Sequence, residues 1–206
     1  MGRKRKIQDH YEWRISPQRQ NYEILDWASP ASQQARFKVL ADKVDLAGKS
    51  LLDVGCGLGD LWAYLKARKI DLRYTGVDIL EKMVQAARER HPDAAFVHAD
   101  LFVSNPYGPS SFDVVFSSGI FNLSLDNNLQ FLALAAGEML QIARSQLVFN
   151  LLHIRGRTAD KTYFHYDPPQ VRSLLADLDC TIDIVDGYLP NDFTVICTKG
   201  HPSFRK

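Results

Sequence analysis

Short apolar runs alternate with stretches of helical spacing along most of the chain. Leu51–Val54, Tyr74–Asp78, Ala95–His98, Phe112–Phe116 and Leu147–Leu152 have strand length and few polar interruptions, the pattern of strands buried on both faces. Between them, apolar residues recur three or four apart. Leu61, Tyr64 and Leu65 predict a helix over 60–69, and a second over 80–90 stops at His91-Pro92-Asp93. Leu129, Leu132, Ala133, Ala136 and Leu140 predict a long helix over 126–143. Upstream, Ser29-Pro30 reads as a helix start, running to about Val44 with Phe37, Leu40, Ala41 and Val44 inward. Downstream, Asp167-Pro168-Pro169 starts a helix capped by Asp167 that reaches about Leu178. Thr181–Val185 and Phe193–Cys197 are two further β-rich runs. The link over 186–192 carries Gly187, Pro190 and Asn191 and leaves no room for a helix, so the two runs pair antiparallel. The order strand, helix, strand gives an α/β class with a mainly parallel sheet and an antiparallel C-terminal hairpin.

One junction carries chemistry. After Leu51, Leu52, Asp53 and Val54 come Gly55, Gly57 and Gly59, alternating with Cys56 and Leu58, and then a helix start. Glycine lets a loop turn sharply and lets a ligand approach the backbone. The first turn of the helix offers unpaired N–H donors. The spacing is G-x-G-x-G, not the G-x-x-G ending of dinucleotide loops, and Asp53 precedes it. An acid there repels a pyrophosphate and suits a cation. Asp78 ends the second strand about 20 residues beyond the loop, the place where an acid meets ribose hydroxyls. Cys56 reads as a small packed residue.

Leu52-Asp53-Val54-Gly55-Cys56-Gly57-Leu58-Gly59 closely resembles the first motif of the class I S-adenosylmethionine-dependent methyltransferases. The resemblance covers about residues 48–199. It implies a Rossmann-like, doubly wound, seven-stranded sheet with helices on both faces, and S-adenosylmethionine as cofactor. It implies that Asp53, Gly55, Cys56, Gly57 and Gly59 surround the methionine part and that Asp78 holds the ribose. Ile79 and Met83 would border the adenine, Asp100 would accept from the adenine amino group, and the Leu101 N–H would meet the ring. Arg36, on the helix before the first strand, is the candidate for the cofactor carboxylate. Ser117 and Ser118, after the fourth strand, are candidate neighbours of the sulfonium. Methyl transfer by direct displacement asks the protein mainly to position and desolvate, so no catalytic dyad is expected. If a base is used, His153 and His165 are the candidates, in a loop that also carries Arg155 and Arg157 as possible anion grips.

Composition refines this picture. A chain of 206 residues with net charge +1 has no global charge signature of a nucleic-acid or membrane partner. No apolar run spans a bilayer, and the basic start lacks the apolar segment of a secretory leader. Three scattered cysteines, with no C-x-x-C pair, argue against a disulfide framework or structural zinc; the expectation is a cytoplasmic protein without metal. Residues 1–28 do not resemble a core element. They carry the run Arg3-Lys4-Arg5-Lys6 and the rings Tyr11, Trp13, Tyr22 and Trp27. The charge run reads as a solvated tail or an RNA-binding arm, and the rings as a lid over the site or as packing on the outer helices. Residues 29–206 read as one domain. A small-molecule acceptor is favoured. RNA or protein methylation through the basic N-terminus and the Arg155/Arg157 loop is the alternative, and a non-enzymatic nucleotide-binding module or nicotinamide oxidoreductase is a third reading.

Overall fold

The computed structural model describes residues 2–16 and 18–200. The ends of the expected segments 1–28 and 29–206 (residues 1 and 201–206), and Pro17, lie outside these residues. The chain divides into two compact units, residues 1–106 and 107–206. Seven strands form one sheet in the order β3-β2-β1-β4-β5-β7-β6.

In the first unit, β1 (Ser50–Val54) lies parallel to β2 (Arg73–Asp78), which lies parallel to β3 (Ala95–His98). Every residue of β1 is buried, Ser50 and Asp53 included, as a strand covered on both faces requires. Helices α3 (Pro30–Lys43), α4 (Asp60–Ala67) and α5 (Glu81–Arg90) accompany these strands. Ser29 caps α3 as expected, its hydroxyl accepting from the Ser32 N–H at 3.1 Å. Helix α4 is two residues shorter than its periodicity suggests. Lys69 takes a left-handed φ of 58°, and its N–H turns back to the Lys66 carbonyl at 2.9 Å, which closes the helix.

The N-terminal residues correct the expectation of an irregular segment. Arg3–Tyr11 is a helix (α1), followed by a 3-10 turn at Glu12–Arg14 and a short helix α2 at Asn21–Ile24. Ile7, Tyr11 and Ile15 stand four apart, one apolar stripe among charges. They pack with Leu25 against a buried cluster of Ile24, Leu58, Leu80 and Met83. Asp26, at a left-handed φ of 60°, ties the segment together by accepting from Arg14 at 3.0 Å and pairing with His10 at 2.8 Å.

In the second unit, β4 (Phe112–Ser118) runs parallel to β5 (Ala143–Leu152). β5 pairs antiparallel with β7 (Asp192–Thr198), and β7 with β6 (Thr181–Leu189). The hairpin is the expected one. β5 starts four residues earlier than its apolar run because polar Arg144 and Ser145 are anchored on Asp113. Helix α6 (Asn128–Ile142) buries Phe131, Leu132, Ala135, Ala136, Met139 and Leu140. Helix α7 (Pro168–Leu174) is shorter than expected: the N–H groups of Ala176 and Leu178 bond three residues back, so the chain tightens into turns. Asp167 holds the N-cap position, but its side chain makes no capping bond.

Candidate functional site

The residues expected to hold a cofactor gather in the first unit around the loop between β1 and α4. The turn is locked by the N–H groups of Gly55 and Cys56, both donating to the Val77 carbonyl, at 2.8 and 3.1 Å. Gly57 and Gly59 have left-handed φ values of 52° and 81°. The loop is also crowded. A methyl group on Gly57 would stand 2.7 Å from Leu25 Cδ2, and one on Gly59 would stand 2.9 Å from the Phe96 ring.

Three carboxyl groups surround this loop. Asp78 is buried at the end of β2. One of its oxygens accepts from the Gly57 N–H at 3.0 Å, the other from the Leu80 N–H at 2.8 Å. Burial raises its pKa and these backbone donors oppose the rise. Each oxygen retains a lone pair for a further donor. Asp53, buried in β1, accepts from the Tyr74 phenol at 2.7 Å. Burial first, then the charges of Asp78 and Asp60, push its pKa up to about 7 against the pull of the Tyr74 bond. Asp60 opens α4 and accepts from Gln33 at 2.9 Å and from Asn21. Such a set favours a cationic ligand, whose charge would offset the cost of burying carboxylates. The thiol of Cys56 is buried, and burial with Asp78 and Asp53 drives its pKa well up, which suits packing and not nucleophilic attack.

The remaining first-unit residues divide. Met83 is core, 2% exposed, and Ile79 packs on the same cluster. Leu101 is buried. Asp100 Oδ1 accepts from the Phe102 N–H at 3.2 Å and from the Arg3 guanidinium, which lies 5.1 Å from the Phe102 ring. Arg36 is 3% exposed; it donates to the Ser32 carbonyl at 2.6 Å and stacks 4.5 Å from Trp27. The basic run is partly neutralised within the protein, since Arg5 pairs with Asp9 at 3.0 Å and Arg3 with Asp100.

The second unit holds the other candidates. Ser117 is buried in β4, and Ser118 ends that strand with an enclosed hydroxyl. His153 directly follows β5, with one ring nitrogen hydrogen-bonded and the other facing a carboxylate. Nδ1 accepts from the Arg155 N–H at 3.0 Å, and Nε2 lies 3.6 Å from Asp186. Arg155 also pairs with Asp186, at 2.5 Å. His165 is half-buried, and its burial lowers its pKa, which favours the neutral ring. The sequence reading did not single out Tyr74, Asp60 or Gln33. An acid one residue past the third loop glycine was the available signal for Asp60; the Tyr74 contact needed the β1–β2 register.

The comparisons with known proteins agree with this geometry. The family model described as a methyltransferase domain matches residues 51–141. A trans-aconitate 2-methyltransferase of Afipia carboxidovorans is 32% identical over 123 residues, 55% of this chain and 46% of that protein. A malonyl-[acyl-carrier protein] O-methyltransferase of Acetivibrio thermocellus is 35% identical over 92 residues, 43% of this chain and 32% of its own length. The chain thus spans less than half of these curated relatives. Among solved structures, magnesium protoporphyrin IX methyltransferase of Synechocystis PCC 6803, crystallised with bound SAH, matches with a TM-score of 0.70. It is 16% identical, with 97% of this chain and 100% of that one covered. Among the described residues no side-chain group fits a metal ion, and no helix is long and apolar enough to cross a membrane.

Proposed function

We propose that this chain, which matches a methyltransferase domain over residues 51–141, belongs to the class I methyltransferases and is an S-adenosylmethionine-dependent methyltransferase acting on a small molecule. The observation that carries the reading is the set of buried carboxyls, Asp53 and Asp78, around a loop with three left-handed glycines. S-adenosylmethionine, when bound, supplies a methyl group on positively charged sulfur, which a nucleophile displaces. In this reading Gly55, Gly57 and Gly59 let the backbone approach the methionine part, and Asp53 offsets its ammonium charge. Asp78 holds the ribose hydroxyls with the lone pairs its backbone bonds leave open. Asp100 and Leu101 border the adenine with Ile79, while Arg36 completes the cofactor's surroundings. The segment 1–28 serves as a cover, because Leu25 rests on Gly57 and Arg3 on Asp100. The RNA or protein alternative is weakened by the basic run, in which Arg3 and Arg5 have acidic partners.

Calorimetric titration with S-adenosylmethionine and, separately, NAD tests this reading. The expected result is micromolar binding of the first and none of the second. NAD binding, or heat from neither ligand, would overturn it.

A further inference from the structure

A row of polar side chains crosses the carboxyl end of β4 and β5 in the second unit. Ser118 is in register with Asn150, and Asn150 with Thr194 on β7. Register partners share one face of a sheet. Asn150 and Thr194 are each 1% exposed and Asp192 is 0% exposed. The Asn150 amide nitrogen donates to both oxygens of Asp192, at 3.2 and 3.4 Å. The Tyr188 phenol donates to the same carboxyl and lies 2.8 Å from the Thr194 hydroxyl. This side of the row is satisfied.

The other side is not. The bonds to Asp192 fix which way the amide faces, so its oxygen turns away from the network. That oxygen is enclosed and has no partner among the described residues, and the same holds for the Ser118 hydroxyl. A third orphan, the amide oxygen of Asn122, sits in the turn just after β4 on a residue 7% exposed. Enclosed polar atoms without partners cost free energy, and native proteins retain few of them unless a ligand or water completes them. The place is the end of the sheet at which open α/β proteins bind ligands.

The orphans also have a common chemistry. Two amide oxygens only accept hydrogen bonds, and a serine hydroxyl either accepts or donates. A carboxylate brought here would set oxygen against oxygen. A primary amine, with two hydrogens, would satisfy all three; a hydroxyl, with one, would donate to one amide oxygen and accept from the serine. We propose that Ser118, Asn122 and Asn150 bind the hydrogen-bond-donating head of the methyl acceptor, a hydroxyl or an amine. The substrate class is then an alcohol, phenol or amine, not a free carboxylate. This assignment rests on the methyltransferase reading above, and it moves Ser118 from the cofactor to the acceptor.

The test uses three probes on one skeleton: propylamine, propan-1-ol and propionate. The full chain is labelled with 15N-asparagine, and the Asn150 side-chain amide signal, assigned by its loss in Asn150→Leu, is followed during titration. Titrations run with and without saturating S-adenosylhomocysteine. Propylamine or propan-1-ol should shift the signal saturably, at least tenfold tighter than propionate. Ser118→Ala, which leaves the Asp192 network intact, should weaken that binding at least threefold. Propionate binding as tightly as the other probes, or no probe moving the signal because the row holds only water, would overturn the proposal. Binding of S-adenosylhomocysteine is recorded in the same samples, so a failure of the cofactor reading is seen separately.

Discussion

The phenol of Tyr74 donates a 2.7 Å hydrogen bond to the carboxyl of Asp53, with both groups buried beneath the glycine loop. The bond holds the Asp53 pKa below where burial alone would put it, yet it still lies at about 7. The unfolded chain releases this proton near 3.8. Between those values the folded state binds more protons, so this group makes stability fall as pH rises, by at most about 1.4 kcal/mol per pH unit. Asp53→Asn should flatten that part of the profile. Urea unfolding at pH 5 and 7.5, for both proteins, checks it.

The same carboxyl predicts a pH-dependent cofactor affinity. A cation beside Asp53 favours the ionised form, so binding should release a proton below about pH 7. Affinity should rise with pH toward about 7 and then level off. Tyr74→Phe removes a bond that lowers this pKa and should move the levelling to higher pH. Calorimetry in buffers of different ionisation heat reads both effects. A pH-independent affinity from 5.5 to 8 would contradict the pairing of Asp53 with the cofactor's charge.

Asp78 has two tasks, and two substitutions separate them. Its oxygens hold the Gly57 and Leu80 N–H groups, so Asp78→Ala orphans two buried donors at about 1–3 kcal/mol each. Asp78→Asn keeps one amide oxygen for the backbone but loses the double acceptor for a ribose. The expectation is that Asn recovers much of the stability lost in Ala, while both weaken cofactor binding by roughly tenfold or more. Thermal unfolding with and without S-adenosylhomocysteine distinguishes the two effects.

Much of this was legible beforehand, for a physical reason. Short, mainly apolar runs bounded by turns mark strands, so β1, β2 and β3 were visible to within one residue. The glycine loop and Asp78 were visible because a close backbone approach and a strand-end acid leave fixed spacings. What stayed hidden depends on pairings far apart in sequence. The stripe Ile7, Tyr11, Ile15 is too thin to outweigh four consecutive basic residues until the Leu58–Met83 cluster is there to receive it. Arg3 meets Asp100 across 97 positions, and Asn150 meets Asp192 across 42. No local pattern announces either pair.

The Arg3–Asp100 pair anchors the start of α1, and its strength is open to a double-mutant cycle. Both side chains are mostly buried, 21% and 15% exposed, which places the pair above ordinary surface ion pairs. Arg3→Ala should lower hydrogen-exchange protection over residues 5–14 by about tenfold, corresponding to about 1.4 kcal/mol of local stability. Asp100→Asn should do the same, and the double variant should add little to either. Additive effects would mean that the helix is held by its apolar stripe alone.

Of the three left-handed loop glycines, Gly57 and Gly59 should differ in what they tolerate. Alanine in a left-handed conformation costs about 1–2 kcal/mol at either site. At Gly57 the new methyl meets only Leu25 Cδ2, the mobile end of a side chain from the N-terminal segment. At Gly59 it meets two rings, His91 at 2.7 Å and Phe96 at 2.9 Å, and Phe96, within β3, is 4% exposed. A ring in a packed interior has nowhere to turn. Gly59→Ala should therefore cost at least about 1 kcal/mol more than Gly57→Ala in urea unfolding. Leu25→Ala should relieve the steric part of the Gly57→Ala penalty and leave that of Gly59→Ala unchanged. Equal penalties at the two glycines, or relief at both, would show that Leu25 does not seat on the loop at Gly57.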